Sequence, residues 1–159
     1  MKIQNQAILS IGSNQGDRFE NIKKGLHLIQ MEIGSVFSVS KLYETPSWGF
    51  ESDAFYNCAI AIHTHKSAQK LLAGILKIEK KLGRIRNSQE GYQPRIIDID
   101  IVSFENEIIN TPTLVVPHPQ MQNRLFVLLP MNDLQLEYVH PILQKATQEF
   151  IAICEDKSS

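Results

Sequence analysis

The sequence predicts an α+β fold: a mainly antiparallel sheet with helices packed on it, followed by a C-terminal hairpin and helix. Three observations predict it. Apolar runs and helical periodicities follow one another in the order strand, helix, strand, strand, helix, strand. Hydrophobic residues make up 43% of the 159 residues, which is enough for a substantial core. Because the chain shows no repeat and no change of composition, we expect one domain over residues 1–159.

A turn separates the first strand from the first helix. Residues 7–11 are mostly apolar and form the strand, which ends at the turn 12–16. From Asp17 onwards, apolar residues recur every three or four positions, the spacing of one helix face, until Gly34 ends the helix. These positions are Phe19, Ile22, Leu26, Ile29 and Ile33.

Two strands follow the first helix. Residues 35–43, rich in Val and Ser, form the second predicted strand. Residues 57–63 form the third, because Cys58, Ile60 and Ile62 alternate along it and so share one face.

The second half of the chain repeats the helix and strand pattern. Ser67 can cap a second helix that Gly83 ends, and residues 96–104 form the next strand. A turn at residues 105–106 can begin a hairpin, and residues 141–154 are expected to be helical. The apolar face of the second helix consists of Leu71, Ile75, Ile78 and Leu82.

This order of elements is that of the ferredoxin-like sandwich, in which both helices pack on one face of the sheet. The topology alone does not define a function. Two connections, residues 44–54 and 84–94, are longer than usual, and long loops inside a compact domain are commonly lids or binding loops. We therefore expect ligand binding to involve these two segments.

Composition excludes several classes of protein. The net charge of -1 gives no overall attraction for nucleic acid or for an acidic membrane. Cys58 and Cys154 lie far apart with no second thiol near either, so neither a disulfide framework nor a zinc knuckle is expected. No signal peptide or membrane span is recognisable, which makes a reducing cytoplasm the expected compartment.

Two acidic residues, Asp98 and Asp100, alternate with isoleucines in the strand 96–104. Alternate side chains of a strand share a face and lie roughly 6–7 Å apart, from a rise of about 3.3 Å per residue. Two carboxylates at that spacing can converge on one Mg²⁺ ion or bridge two. The alternative is that both acids solvate the outer face of the strand, which is the commoner role of a lone pair of this kind.

Basic residues near this pair favour a phosphate ligand. A metal-bound polyphosphate requires acidic metal ligands together with bidentate donors for its oxygens. Each arginine alone could equally form a surface ion pair, worth at most about 1 kcal/mol. The basic residues are Arg84, Arg86, Arg95, His118 and Arg124.

Two other segments have weaker signals. The turn 12–16 follows a strand and precedes a helix, but it lacks the motifs of a P-loop or of a dinucleotide-binding turn, and it can equally be structural. Trp48 and Phe55 offer aromatic faces for a flat heterocycle, while Asn57 offers an amide for a ring edge. Tyr56 is as easily a core residue.

Taken together, these motifs resemble the 6-hydroxymethyl-7,8-dihydropterin pyrophosphokinase family over residues 7–130. The Arg-x-x-Asp-x-Asp core, followed by Val-Pro-His and Asn-Arg, is the most specific part. The matching pieces are Ile11-Gly-Ser-Asn14 with Gly16, Tyr43-Glu-Thr-Pro46, Phe55-Tyr-Asn57, Ile78-Glu79, Gly83-Arg-Ile-Arg86, Pro94-Arg95 with Asp98 and Asp100, Val116-Pro-His118, Asn123-Arg124 and Phe126.

The resemblance implies a ferredoxin-like enzyme that transfers diphosphate from ATP to the pterin hydroxymethyl oxygen, in folate biosynthesis, releasing AMP. It implies that Asp98 and Asp100 hold two Mg²⁺ ions, with Arg84 and Arg95 among the catalytic residues. It implies ATP contacts by Glu79, Arg84, Arg86, Arg95, His118 and Arg124, and pterin contacts by Thr45, Pro46, Trp48, Phe55, Asn57, Asp98 and Phe126. We expect a monomer whose ligands are ATP and the pterin.

Two departures and two alternatives accompany this interpretation. Tyr92 stands where a close relative has Trp, which concerns the contacts of the closed loop, and Phe55 replaces the Tyr that the family can carry. We expect segments 45–55 and 86–95 to close and exclude water.

The alternatives are a non-catalytic binding module of the same topology and a metal-dependent phosphohydrolase, which would release inorganic phosphate instead of AMP.

Overall fold

The computed structural model describes residues 4–45, 54–83 and 96–155. The strands are β1 (Asn5–Ser13), β2 (Ser35–Val39), β3 (Tyr43–Thr45), β4 (Phe55–Thr64), β5 (Asp98–Phe104), β6 (Ile109–Asn110) and β7 (Val115–Val116). The helices are α1 (Arg18–Glu32), α2 (Ala68–Lys81), α3 (Leu125–Asp133) and α4 (Thr147–Ile153), and a 3-10 helix spans Met121–Asn123.

The main sheet is antiparallel, with the strand order β2-β4-β1-β5, and β3 pairs with β4 beyond the end of β2. Its two central strands are the apolar runs that the sequence predicts as strands. This order and the antiparallel pairing confirm the predicted ferredoxin-like arrangement. The pairing brings together residues from distant parts of the chain: Gly12 of β1 lies opposite Asn57 of β4 on one side and opposite Asp98 of β5 on the other.

Helices α1 and α2 pack on one face of the sheet, as predicted. Ser67 caps α2 as predicted, because its side chain accepts a hydrogen bond from the Lys70 N–H, and α1 begins after Asp17, whose side chain accepts one from the Glu20 N–H. Such caps typically contribute about 1 kcal/mol each. The core under these helices includes Leu9, Ile11, Ile29, Ile60, Ile62, Leu71, Ile75, Ile78, Ile97 and Ile99.

Helices α3 and α4 cover the opposite face, and the sequence does not predict α3. The segment is apolar all round and contains Pro130, which removes a backbone donor inside a helix, so neither periodicity nor propensity indicates a helix there. The helix forms because its apolar residues are buried against the face of β1, β4 and β5 that points away from α1 and α2. This second core includes Ile8, Ala59, Ala61, Val102, Val127, Leu128, Met131 and Phe150.

Two predicted boundaries and one predicted strand pairing are wrong. The predicted strand 35–43 is two strands, β2 and β3. The turn after β5 is present, with Glu105 at a positive φ of 52°, but β6 pairs with β7 and not with β5. The tail helix begins at Thr147, not at residue 141, because the ring Nδ1 of His140 accepts the N–H groups of Ile142 and Leu143 and holds the intervening chain in a turn.

None of the helices formed by the described residues combines the length and the apolar character that crossing a bilayer would require.

Candidate active site

A cavity of about 1110 Å³ lies on the sheet face covered by α3 and α4, where one end of the central strands meets the C-terminal segment. Four strands, the 3-10 helix, α3 and the tail therefore surround one site. Its lining residues are Ser10, Gly12, Thr45, Phe55, Asn57, Asp98, Asp100, Gln122, Asn123, Arg124, Phe126, Leu143, Lys145, Phe150, Ile153, Cys154 and Glu155.

The two predicted acids face this cavity together. Asp98 and Asp100 line it, whereas Ile97, Ile99 and Ile101 are at most 5% exposed and belong to the core on the other face. The predicted alternation along β5 is therefore confirmed. Neighbouring β1 places small residues beside the acids, with Gly12 opposite Asp98 and Ser10 opposite Asp100, which leaves room above the carboxylates.

The predicted heterocycle residues form the adjoining part of the wall. Asn57 and Thr45 are both buried, and the Asn57 Nδ2 donates a hydrogen bond to the Thr45 Oγ1 at 2.8 Å. This bond fixes the orientation of the amide before any ligand binds. Phe55 and Phe126 come from β4 and from the start of α3, and both line the cavity. Two aromatic faces and an oriented amide suit a flat, polar-edged ring.

Gly12 makes this arrangement possible. A Cβ at position 12 would lie 2.8 Å from the Asn57 Oδ1 and 3.7 Å from the Phe55 Cδ1. The first distance is shorter than ordinary contacts allow, so a side chain here would displace the amide. Gly12 of β1 therefore shapes the site through Asn57, its neighbour on β4.

His118 lies close to Asp100 and to Arg124. The His118 backbone N–H donates to the Val102 carbonyl at 2.9 Å, and its ring Nδ1 accepts the Gln120 N–H, which leaves Nε2 as the protonated nitrogen of the neutral ring. Burial lowers the pKa of His118, the charge of Asp100 raises it, and that of Arg124 lowers it further. The side chain is thus close to both a carboxylate and a guanidinium group.

Arg124 is positioned by the start of α3. Its carbonyl accepts the N–H groups of Val127 and Leu128, each at 3.0 Å, and its guanidinium carbon lies 5.6 Å from the centroid of the Phe126 ring. Arg124 therefore lines the same cavity as the two acids and lies near the Phe126 ring.

Glu79 lies apart from the cavity wall. Its side chain is 2% exposed on α2, and its Oε2 accepts the N–H of Ile99 at 2.9 Å. Since Ile99 stands between the two acids in β5, the visible role of Glu79 is to hold the strand that carries them. The described residues leave its predicted ATP contact untested.

Several predicted residues lie outside the described ranges. They belong to the two long connections, so their positions and the expected closure of these connections stay predictions. They are Pro46, Trp48, Arg84, Arg86, Tyr92 and Arg95.

Other lining residues are absent from the sequence prediction or only weakly indicated by it. Ser10 is not predicted, and Gly12 is marked only as part of a turn; both reach the site through the register of β1 with β5, which is not visible locally. The tail forms a whole wall of the cavity although it carries no recognisable motif. The tail residues of this wall are Leu143, Lys145, Phe150, Ile153, Cys154 and Glu155.

The described part of the cavity offers few side chains that could bind a metal ion. No group of three or more His, Cys, Asp or Glu side chains within the described ranges could hold an ion by itself. Two carboxylates on one face, Asp98 and Asp100, are the smaller set that suits Mg²⁺, which keeps several waters and commonly shares substrate phosphates as ligands. The residues therefore fit a metal that binds together with its substrate.

The family model for 7,8-dihydro-6-hydroxymethylpterin-pyrophosphokinase matches residues 8–136. The chain belongs to this family. It is accordingly a pyrophosphokinase that transfers diphosphate from ATP to the hydroxymethyl group of 6-hydroxymethyl-7,8-dihydropterin, in folate biosynthesis.

Relatives of similar length carry the same activity in their names. The 2-amino-4-hydroxy-6-hydroxymethyldihydropteridine pyrophosphokinase of Aquifex aeolicus is 38% identical, covering 89% of this chain and 88% of that protein. The Bacillus subtilis protein of the same name is 36% identical, covering 98% and 94%. The likeness thus extends into the tail, beyond the residues on which the sequence resemblance rests.

Larger proteins contain a similar region. A folic acid synthesis protein of Dictyostelium discoideum is 40% identical over 90% of this pyrophosphokinase, which spans 22% of that protein. A crystal structure of Plasmodium falciparum HPPK-DHPS matches with a TM-score of 0.78 at 18% identity, covering 94% of this chain and 45% of that one. The structural match supports the fold alone.

Proposed function

We propose that the cavity is the site of diphosphate transfer and that Asp98 and Asp100 hold two Mg²⁺ ions there. The observation that carries this proposal is that both carboxylates share a cavity with Phe55, Asn57 and Phe126. Acidic metal ligands and a heterocycle-binding wall therefore adjoin each other, as a reaction between ATP and a pterin alcohol requires.

The pterin stacks between Phe55 and Phe126 in this proposal. Asn57, fixed by Thr45, reads the polar edge of the ring, while Thr45, Pro46 and Trp48 complete its surroundings. Asp98 adjoins the ring site across Gly12, so the hydroxymethyl group can lie close to the metal-binding carboxylates.

The ATP phosphates lie on the other side of the acids. His118 and Arg124 are the described residues of this half, and Arg84, Arg86 and Arg95 provide further cations. A guanidinium group can hold two phosphate oxygens at once, which fixes the chain of phosphates in one orientation. Glu79 of α2 supports this half from the other face of the sheet, because its Oε2 accepts a hydrogen bond from the Ile99 N–H of β5.

The reaction needs orientation more than proton transfer. The pterin oxygen attacks the β-phosphorus of ATP, the bond from that phosphorus to the oxygen bridging to the α-phosphate breaks, AMP leaves, and the hydroxyl proton passes to solvent. Bound magnesium would acidify the alcohol and stabilise the charge that develops on the phosphates. The aromatic walls and the cations hold the two substrates in line and restrict water.

The test is to incubate the chain with ATP, Mg²⁺ and 6-hydroxymethyl-7,8-dihydropterin and to quantify AMP and the pterin diphosphate. We expect AMP formation to require the pterin, and Asp98→Ala and Asp100→Ala each to reduce the rate by at least about a hundredfold, the scale of losing a stabilising contact to the transition state. Glu107→Ala, which removes an exposed acid in the connection between β5 and β6, is the matched control.

Three outcomes would contradict the assignment. Inorganic phosphate in place of AMP would indicate a phosphohydrolase. Binding of pterin and ATP without any product, at any Mg²⁺ concentration, would indicate a binding module. Full activity in the variant lacking both acids would exclude them as metal ligands.

We also propose that the chain acts in a reducing cytoplasm as a monomer, with no nucleic acid or membrane partner. The net charge of -1 supports the absence of a polyanion partner. Both cysteines are buried and free. Size-exclusion chromatography with light scattering tests the oligomeric state.

A further inference from the structure

Arg18 holds together the two strands that carry the pterin wall, although no sequence motif considered above includes it. Its Nη1 donates a hydrogen bond to the carbonyl of Ala54 at 2.6 Å and another to the Oε2 of Glu44 at 3.4 Å. Its guanidinium carbon lies 4.0 Å from the centroid of the Tyr56 ring. One side chain at the start of α1 therefore contacts three residues of another part of the chain.

These three partners flank the predicted pterin residues. In the pairing of β3 with β4, Glu44 lies opposite Tyr56, and Thr45 lies opposite Phe55. Ala54 precedes Phe55 directly. Because side chains alternate along a strand, Glu44 and Tyr56 face one side while Thr45, Phe55 and Asn57 belong to the cavity on the other. Arg18 itself is not part of the cavity lining.

The contacts differ in strength, and the weakest is the ion pair. The Glu44 side chain is 57% exposed, so its attraction to Arg18 is largely screened. The bond to the Ala54 carbonyl is short and charge-assisted, and the Arg18 side chain is only 23% exposed. Stacking on Tyr56 adds a cation–π contact that a smaller cation would make less well.

The base of Arg18 is itself fixed. Asp17 caps the helix, and the Asn21 Nδ2 donates to the Gln15 carbonyl at 2.7 Å and to the Ser13 Oγ at 3.2 Å. The turn before α1 is thus a rigid support. A contact from this support to the Ala54 carbonyl fixes the peptide that leads into Phe55.

We propose that Arg18 is a positioning residue for pterin binding: from the opposite face of the β3–β4 pair, it fixes the strand positions from which Phe55, Thr45 and Asn57 meet the ring. Because Arg18 fixes these strand positions before the substrate binds, pterin binding costs less conformational entropy. This inference rests on the proposed pterin site, and it assigns Arg18 no contact with substrate.

The test compares Arg18→Ala, Arg18→Lys and Lys23→Ala. Lys23 is the matched control, because it also contacts an acid and an aromatic ring, Glu20 and Phe19, but both lie on its own helix. We expect Arg18→Ala to raise the pterin Kd and KM about tenfold, with ATP affinity and kcat at saturating pterin changed less than about threefold. Arg18→Lys should recover part of the pterin affinity, and Lys23→Ala should match the parent.

A purely structural role would give a different result. If ATP and pterin affinities fall together, or if the pterin Kd of Arg18→Ala stays within about twofold of the parent, the inference is wrong. Should Arg18→Ala fail to fold, Arg18→Lys tests the bond to the Ala54 carbonyl together with the stacking, and Tyr56→Leu tests the stacking alone; the absence of any pterin effect in both would overturn the inference. Loss of pterin binding by Asn57→Ala, without an effect of Arg18→Ala, would contradict this inference while leaving the proposed site intact.

Discussion

Gly12 stands where three strands meet, between Asn57 of β4 and Asp98 of β5. The sequence alone marks it only as the start of a turn, with a structural role as good an interpretation as a ligand contact. The structure gives the physical reason for a glycine. The Asn57 amide occupies the space in which a Cβ would lie, so the residue creates the site without contributing any polar group.

Replacing Gly12 with Ala is expected to weaken pterin binding. The added Cβ would lie 2.8 Å from the Asn57 Oδ1, and the amide must rotate or shift away from Thr45. We expect the pterin Kd to rise about tenfold, equivalent to about 1.4 kcal/mol, in a fluorescence titration.

Gly74→Ala is the control for this change. Its Cβ would be 3.3 Å from the Ile33 side chain, so the fit is also tight, but the position lies on α2 away from the cavity. Unchanged pterin affinity in Gly12→Ala, or an equal loss in both variants, would contradict the argument.

At the scale of elements, the turn before α4 depends on one neutral ring. The His140 Nδ1 accepts two backbone N–H groups, from Ile142 at 3.2 Å and from Leu143 at 3.0 Å, and the ring packs edge-on against Phe150. A protonated ring could accept neither bond. Burial lowers the pKa of His140 below its ordinary value of 6.5.

Acid is therefore expected to loosen this turn. Because the folded chain favours the neutral ring, the unfolded chain binds more protons below pH 6.5, and the free energy of unfolding decreases as the pH falls from there through the folded-state pKa. The burial-lowered pKa of His118 contributes with the same sign. Urea denaturation at several pH values between about 7.5 and about 5, a range that spans the ordinary histidine pKa, measures how the free energy of unfolding changes.

The variant His140→Asn separates the two histidines. An Asn side chain can accept an N–H at this position but does not titrate, so the acid-dependent loss of stability should shrink and leave only the part due to His118. An unchanged pH dependence in His140→Asn would show that this ring does not titrate with folding.

At the scale of the whole molecule, a hydrophobic core lies on each face of the sheet. The core under α3 and α4 also contributes to the wall of the cavity. Phe150 of α4 is 2% exposed, belongs to the core under α3 and lines the cavity. Stability and ligand binding are therefore coupled through the C-terminal segment.

Phe150→Ala is expected to cost about 3–5 kcal/mol of the free energy of unfolding, the usual range for removing a buried aromatic side chain. Chemical denaturation measures this. Ile153→Ala on the same helix is the control, since Ile153 is 61% exposed and its removal should change stability by less than about 0.5 kcal/mol. Similar costs for the two variants would show that α4 does not form part of the core.

Much of this protein is determined by its sequence alone. The caps Asp17 and Ser67 and the apolar stripes of α1 and α2 are local signals, because capping and periodicity act within one or two turns of chain. The alternation of Asp98 and Asp100 with isoleucines is equally local, and the order of the motifs was sufficient to identify the family. Tertiary structure decided the rest, because it depends on contacts between distant segments. The register that puts Gly12 between Asn57 and Asp98, the helix α3 that forms despite Pro130, and the reach of Arg18 to Ala54 leave no local pattern in the chain.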